Sequence, residues 1–439
     1  MRTVLIERAT RSWTFRGGVA LVDQAIFAGS NFGLNVYLAR SLSPAEFGVF
    51  VFTLAIVLAF FGLYSAVQLE PASVLGPSAY RDRSRGYLRA QLRIHFCLTA
   101  VIGMLLVVTG FAVDAIDTTQ VGRTFVAAGL ACPPMLLYHL ARRLLYTRDL
   151  GIRALGGSLL YASTLGGGVL LAHRYGWLSP AVAFGVQALA GGAASAYMVW
   201  RLQAGGAVNV EDPCQMRPLV REQWKYGKYL VGIVLLQSAA VQGLTFMTSA
   251  MLGFGALGVL RAMQSFVLPF GHTMIALFAV AQPALARDFG SGRFDALGRK
   301  GMAVAGVIVC LAIAGEISFL AFHQQMEHLL FGGKFAAYSG LIPVFGAAII
   351  FEGLAGTQAL VLRAVQRPRL HMLSVAATAP LALAIGFVLI RWCGIWGAAA
   401  ATAVTWAVAA AVTHPMSRRW LPLSPGPLLM KPGVTSSSV

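Results

Sequence analysis

Long apolar stretches alternate with short polar ones along nearly the whole chain. Twelve of them, near residues 17–39, 46–68, 94–113, 123–141, 154–172, 178–200, 227–252, 256–282, 301–322, 338–362, 371–390 and 393–414, are long enough to cross about 30 Å of hydrocarbon as helices. Pro133, Pro134 and Gly166 to Gly168 interrupt the fourth and fifth. The pattern predicts an all-α polytopic membrane protein of two six-helix lobes, residues 1–200 and 227–414. Between them, residues 201–226, polar and containing Pro213 and Pro218, read as a linker. Residues 415–439, rich in Pro and Ser, read as a disordered tail.

The two halves resemble each other at an offset of about 210 residues. Gly33-Leu34 matches Gly243-Leu244, and Gly48-Val49 matches Gly258-Val259. After a two-residue slip, Glu70-Pro71 matches Gln282-Pro283. Each half then enters a basic loop. Six helices is an even number, so both halves enter the membrane in the same orientation, as a parallel repeat. In transporters such repeats place the substrate cavity between the lobes.

Composition agrees with this reading: 57% of residues are hydrophobic and 11% charged, against about 25% charged in a soluble domain. The net charge of +18 would suggest nucleic acid in a soluble chain. Here it follows topology. Of 34 Lys and Arg, 28 fall in the tails and alternate loops on one side, and five (Arg40, Arg123, Arg174, Lys334, Arg391) on the other. Arg261 lies inside a span. The bias predicts both termini in the cytoplasm, in the cytoplasmic (inner) membrane. The five cysteines show no CxxC spacing, and neither a P-loop nor an H-E-x-x-H motif occurs, so neither a metal site nor ATP hydrolysis is expected. The chain reads as a non-enzyme.

Polar residues inside spans are costly in lipid and therefore informative. Gln24, Asn31 and Asn35 line one face of the first helix, with Asp23 one position off that stripe. Ser238, Gln242, Thr245 and Ser249 form the corresponding stripe in the seventh. Both read as lining for a wet cavity or as interhelical hydrogen bonding. The eighth helix carries Arg261, Gln264, Ser265 and His272 on one face. The Arg261 guanidinium, roughly 8 Å inside the outer end, suits a diphosphate or snorkels to headgroups. Arg40, at the outer end of the first helix, is a second such cation. Asp23, Glu70, Glu316 and Glu352 lie in or at the ends of spans. Each suits either a coupling proton or Na⁺, or an ion pair with an Arg.

Residues 38–48, Leu-Ala-Arg-Ser-Leu-Ser-Pro-Ala-Glu-Phe-Gly, resemble the Arg-x-Leu-x-Pro-x-x-Phe-Gly turn of polysaccharide-biosynthesis (O-antigen type) flippases. That family belongs to the multidrug/oligosaccharidyl-lipid/polysaccharide (MOP) exporter superfamily. Local chemistry also accounts for part of the motif, since Ser43-Pro44 ahead of Glu46 is a helix start. The resemblance implies a MATE-like two-lobe fold and translocation of a polyprenyl-diphosphate-linked oligosaccharide by alternating access. On that reading Arg261 and Arg40 hold the diphosphate. Gln24, Asn31, Asn35, Gln242 and Gln264 bind sugar hydroxyls, and Asp23 or Glu352 is the ion-coupling site. No cofactor is implied beyond H⁺ or Na⁺. The expected partners are the lipid-linked glycan, membrane lipids, and a polysaccharide polymerase with its glycosyltransferases; nucleic acid is not among them. A cation-coupled multidrug exporter of the same superfamily and a non-transporting scaffold are the competing readings.

Overall fold

The computed structural model describes residues 13–78, 84–116, 120–204, 215–365 and 367–418. Among these residues twelve α-helices follow in order: α1 (Trp13–Ser41), α2 (Pro44–Tyr64), α3 (Glu70–Ser78), α4 (Ser84–Ile116), α5 (Gln120–Thr147), α6 (Gly151–Arg174), α7 (Pro180–Ala204), α8 (Met216–Gln264), α9 (Leu268–Gly290), α10 (Phe294–Phe331), α11 (Leu341–Ala364) and α12 (Pro368–Ser417). A π-helical turn, Ser65–Leu69, joins α2 to α3, and a short 3₁₀ turn, Ser265–Val267, joins α8 to α9.

These helices do not correspond one to one with membrane crossings. Among the described residues nine helical stretches are long and apolar enough to span a bilayer, and two of them, Leu230–Gly290 and Arg369–Ser417, hold 61 and 49 residues. A straight helix of 61 residues would extend about 90 Å, three hydrocarbon thicknesses. Each long stretch breaks at a glycine of positive φ, Gly253 (80°) and Gly394 (56°), a backbone geometry that a Cβ would strain. The breaks predicted between 252 and 256 and between 390 and 393 fall on these glycines or beside them. Dividing both stretches there gives eleven, and α1, 29 residues long, is long enough to be the twelfth crossing expected.

Other boundaries moved. Helices extend to Ala204 and resume at Met216, so part of the 201–226 linker is helical; residues 205–214 lie outside the described residues. The last helix runs to Ser417, so the predicted tail begins within it, and 419–439 are likewise outside. Pro133 and Pro134 do not end a helix, because α5 runs through both. Neighbouring α7 packs against the proline turn, with the Ser195 hydroxyl 3.4 Å from the Pro134 carbonyl. Such local contacts are how a helix in lipid tolerates proline.

Helices α1 to α7 pack among themselves, chiefly α5 against α4 and α7, and α6 against α1 and α7. Helices α8 to α12 do likewise, and α2 against α8 is the most extensive seam between the two sets. That seam starts at the resemblance motif. Ser43 caps α2: its hydroxyl accepts from the Glu46 N–H (3.2 Å), while Glu46 Oε2 accepts from the Ser43 N–H (2.9 Å). Pro44 occupies the first helical turn, where its missing N–H is not needed. Phe47 is fully buried. Gly48 then meets the other half: a Cβ here would overlap the backbone carbonyl of Phe254, and one at Gly258 would overlap that of Pro44. Pro44 and Phe254 are themselves 210 positions apart, as are Gly48 and Gly258. The sequence repeat is therefore a spatial one, and its two copies touch reciprocally.

This crossing sets a test. Gly48→Val and Gly258→Val should each destabilise the detergent-purified protein by about 1–3 kcal/mol, seen as a lower midpoint in a thermal unfolding scan. Gly33→Ala, where nothing lies within 4 Å of the new Cβ, should leave the midpoint unchanged.

Candidate functional site

The polar residues of α1 belong to a built network inside the first half. Asp23 is fully buried. Its Oδ2 accepts from Arg142 Nε on α5 at 2.7 Å and from the Tyr146 hydroxyl at 2.5 Å. Arg142 Nη2 also donates to Gln24 Oε1 at 3.0 Å, and its guanidinium lies over the Phe27 and Tyr146 rings. Four-residue spacing brings Tyr138, Arg142 and Tyr146 onto one face of α5. The Tyr161 hydroxyl of α6 donates to Asn31 Oδ1 at 3.2 Å. Tyr138 and Ser158 share a hydrogen bond of 2.6 Å, and Phe27 stacks on Tyr138 with centroids 5.2 Å apart.

Arg142 and Arg143 are thus corrections to the sequence expectation, which put both in a basic loop. Both lie in α5. Arg142 completes an ion pair with Asp23, and Arg143 pairs with Glu70. A buried acid in lipid requires a counter-charge, and the helical spacing of Tyr138, Arg142 and Tyr146 was the signal that could have located it.

Asn31 and Asn35 sit one turn apart, each donating to the carbonyl one turn earlier; Asn35 Oδ1 is buried without a partner. In the second half, Arg261 stands two turns beyond the Gly253 break. Its Nη1 donates to Gln264 Oε1 at 3.0 Å, and its Nε is buried without a partner. Among the described residues no carboxylate lies within ion-pairing distance of it. Arg261 as a residue is half-buried, but its Nε is enclosed, so the guanidinium is turned into protein. Gln242 and Glu352 are half-buried. Glu316 abuts Gly346, with Oε2 buried and unpartnered. The predicted residues therefore gather as two groups, Asp23–Gln24–Asn31–Asn35 in one half and Arg261–Gln264 in the other. No hydrogen bond joins the groups among the described residues.

Arg40 lies apart from both. It is exposed at the end of α1, its Nη2 near Gly332 of the α10–α11 loop. Beside it, Lys334 Nζ donates to the carbonyls of Ala39 (2.7 Å), Arg40 (3.2 Å) and Leu42. Partial burial pulls the Lys334 ammonium below its ordinary range, and nearby Glu46 works against that shift.

No protein-family model matches the chain, and no curated protein sequence matches it. Solved structures do. An inward-facing multidrug resistance MATE family transporter of the MOP superfamily superposes with a TM-score of 0.76, at 11% identity over 90% of this chain and 94% of that one. The chain has the MATE fold. An outward-facing MATE transporter scores 0.67 at 11% identity, over 94% of this chain and 96% of that one. A MOP superfamily transporter from Pyrococcus furiosus, described as having a binding pocket of reverse polarity that suggests a different function, also scores 0.67 at 11% identity, with the same coverage. Of the three, the MATE fold seen here superposes best on the inward-facing form.

The Asp23–Arg142 pair is the most heavily constrained part of the site. Arg142→Met should destabilise the protein by about 3–5 kcal/mol by stranding a buried carboxylate. Asp23→Asn combined with Arg142→Met should recover a large part of that loss. A double-mutant cycle of denaturation midpoints measures both.

Proposed function

We propose that this protein is a secondary transporter that carries a polyprenyl-diphosphate-linked oligosaccharide across the cytoplasmic membrane by alternating access, for surface polysaccharide assembly. The observation that carries the reading is Arg261: a guanidinium turned into protein, steadied by Gln264 and lacking a carboxylate among the described residues. An unneutralised cation at that depth favours an anionic cargo, and a guanidinium grips a diphosphate with paired hydrogen bonds. It would repel the cationic compounds that a drug exporter carries. Under this reading the basic loops face the cytoplasm, Arg40 is the second diphosphate contact, and Gln24, Asn31, Asn35, Gln242 and Gln264 meet sugar hydroxyls.

Coupling to H⁺ or Na⁺ falls to Glu352 ahead of Asp23. Asp23 already has Arg142 as its counter-charge, whereas Glu352 shows no ion pair among the described residues. The multidrug reading rests on a different observation, the superposition on a multidrug resistance MATE family transporter at the higher TM-score of 0.76. The MOP transporter with a pocket of reverse polarity, for which a different function is suggested, leaves room on this fold for a cargo other than drugs.

Reconstituted liposomes loaded with a fluorescent polyprenyl-diphosphate oligosaccharide test the assignment by leaflet-selective quenching. Arg261→Ala should abolish flipping, and Arg261→Lys should retain part of it, since charge survives without the bidentate geometry. Wild-type rates in Arg261→Ala, at equal protein level, would remove the diphosphate role. Proton-driven efflux of a cationic dye by the wild type, with no flipping, would establish the exporter instead.

A further inference from the structure

The loop between α10 and α11 is built to present one side chain. Helix α10 ends at Phe331 and is capped by Gly332, in the left-handed region with φ 68°, and Gly333 follows at φ 84°; two successive residues of this kind turn the chain sharply. Phe335 then anchors the loop. It is 2% exposed, packs edge-on against Phe331 with centroids 5.4 Å apart, and donates its N–H to Glu327 Oε1 at 2.8 Å. Glu327 is itself buried at 1% exposure. Lys334, held between these fixed points, reaches out of the second half into the first.

Its three N–H groups face three carbonyls, those of Ala39, Arg40 and Leu42. Two of these belong to the last turn of α1 and the third to the link into α2. The last carbonyls of a helix have no partner within it and carry the negative end of its dipole. An ammonium with three donors satisfies them together. The same end of the molecule holds the reciprocal Gly48–Gly258 crossing. Aromatic contacts also connect the loop to the Arg261 segment: Phe266, in the 3₁₀ turn that follows Gln264, packs edge-on against Phe331 at 5.6 Å.

We propose that Lys334 is the clasp that holds the two halves shut on this face, and that the protein opens here only when Lys334 leaves the end of α1. Releasing it exposes three carbonyls and one ammonium at once, so the contact is made or lost as a unit. The glycine crossing supplies fit without charge, and Lys334 supplies the bond that switches. This holds for any cargo and does not rest on the lipid-linked glycan.

The test uses the full chain in nanodiscs, in a background free of native cysteines, with spin labels at Tyr175 and Trp392. Both are exposed, at 64% and 84%, near this face and in opposite halves. Wild type and Lys334→Arg should give the same short-distance population. Lys334→Met should raise the share of the longer-distance population roughly tenfold, the factor for losing about one charge-assisted hydrogen bond. Gly333→Ala keeps the charge but strains the loop at φ 84°, and should open this face in the same sense. Distributions for Lys334→Met and Gly333→Ala that superimpose on wild type would overturn the proposal. If Lys334→Met does not fold, Gly333→Ala against Lys334→Arg decides by the same criterion.

Discussion

Two helices that must lie backbone against backbone can do so only where side chains are missing, and this requirement organises the molecule. At the α2–α8 seam Gly48 receives the Phe254 carbonyl and Gly258 receives that of Pro44. Lipid tails are as apolar as the protein surface, so no hydrophobic gain draws the halves together; close packing and polar contacts have to do it. A reciprocal pair of glycines gives the closest packing available, and it repeats at the same offset as the sequence. The Ser43–Glu46 capping box fixes where α2 begins and so brings Gly48 to the crossing.

Around that seam the polar groups divide by half. The first half neutralises its buried charge internally, through Arg142 on Asp23, with Tyr146 and Gln24 bonded to the pair. The second half leaves Arg261 with a neutral partner. This asymmetry is absent from the backbone repeat, which treats the halves alike.

Much of this was legible in the sequence, for identifiable reasons. Spans were readable because hydrocarbon demands long apolar runs, and the breaks at Gly253 and Gly394 were readable because those runs exceeded one membrane thickness. The repeat was readable because its crossing demands glycine. What escaped was the partner of each polar group. Arg142 looked like a loop residue since it follows the apolar part of its span, and only the three-dimensional neighbourhood of α1 and α5 shows it reaching Asp23. Lys334 looked like a stray external charge because its acceptors are backbone carbonyls, which leave no trace in composition. Helix continuity through Pro133 and Pro134 was hidden for a similar reason: the contacts that tolerate it come from α7.

The Asp23–Arg142 pair also bears on how the protein is made. The two residues are separated by 119 positions, so the ribosome delivers α1 with its acid long before α5 exists. During that interval the nascent first helix carries Asp23 without the counter-charge that it has in the folded structure. Emergence of α5 then supplies Arg142, so the ion pair of the first half forms only once both helices have been made.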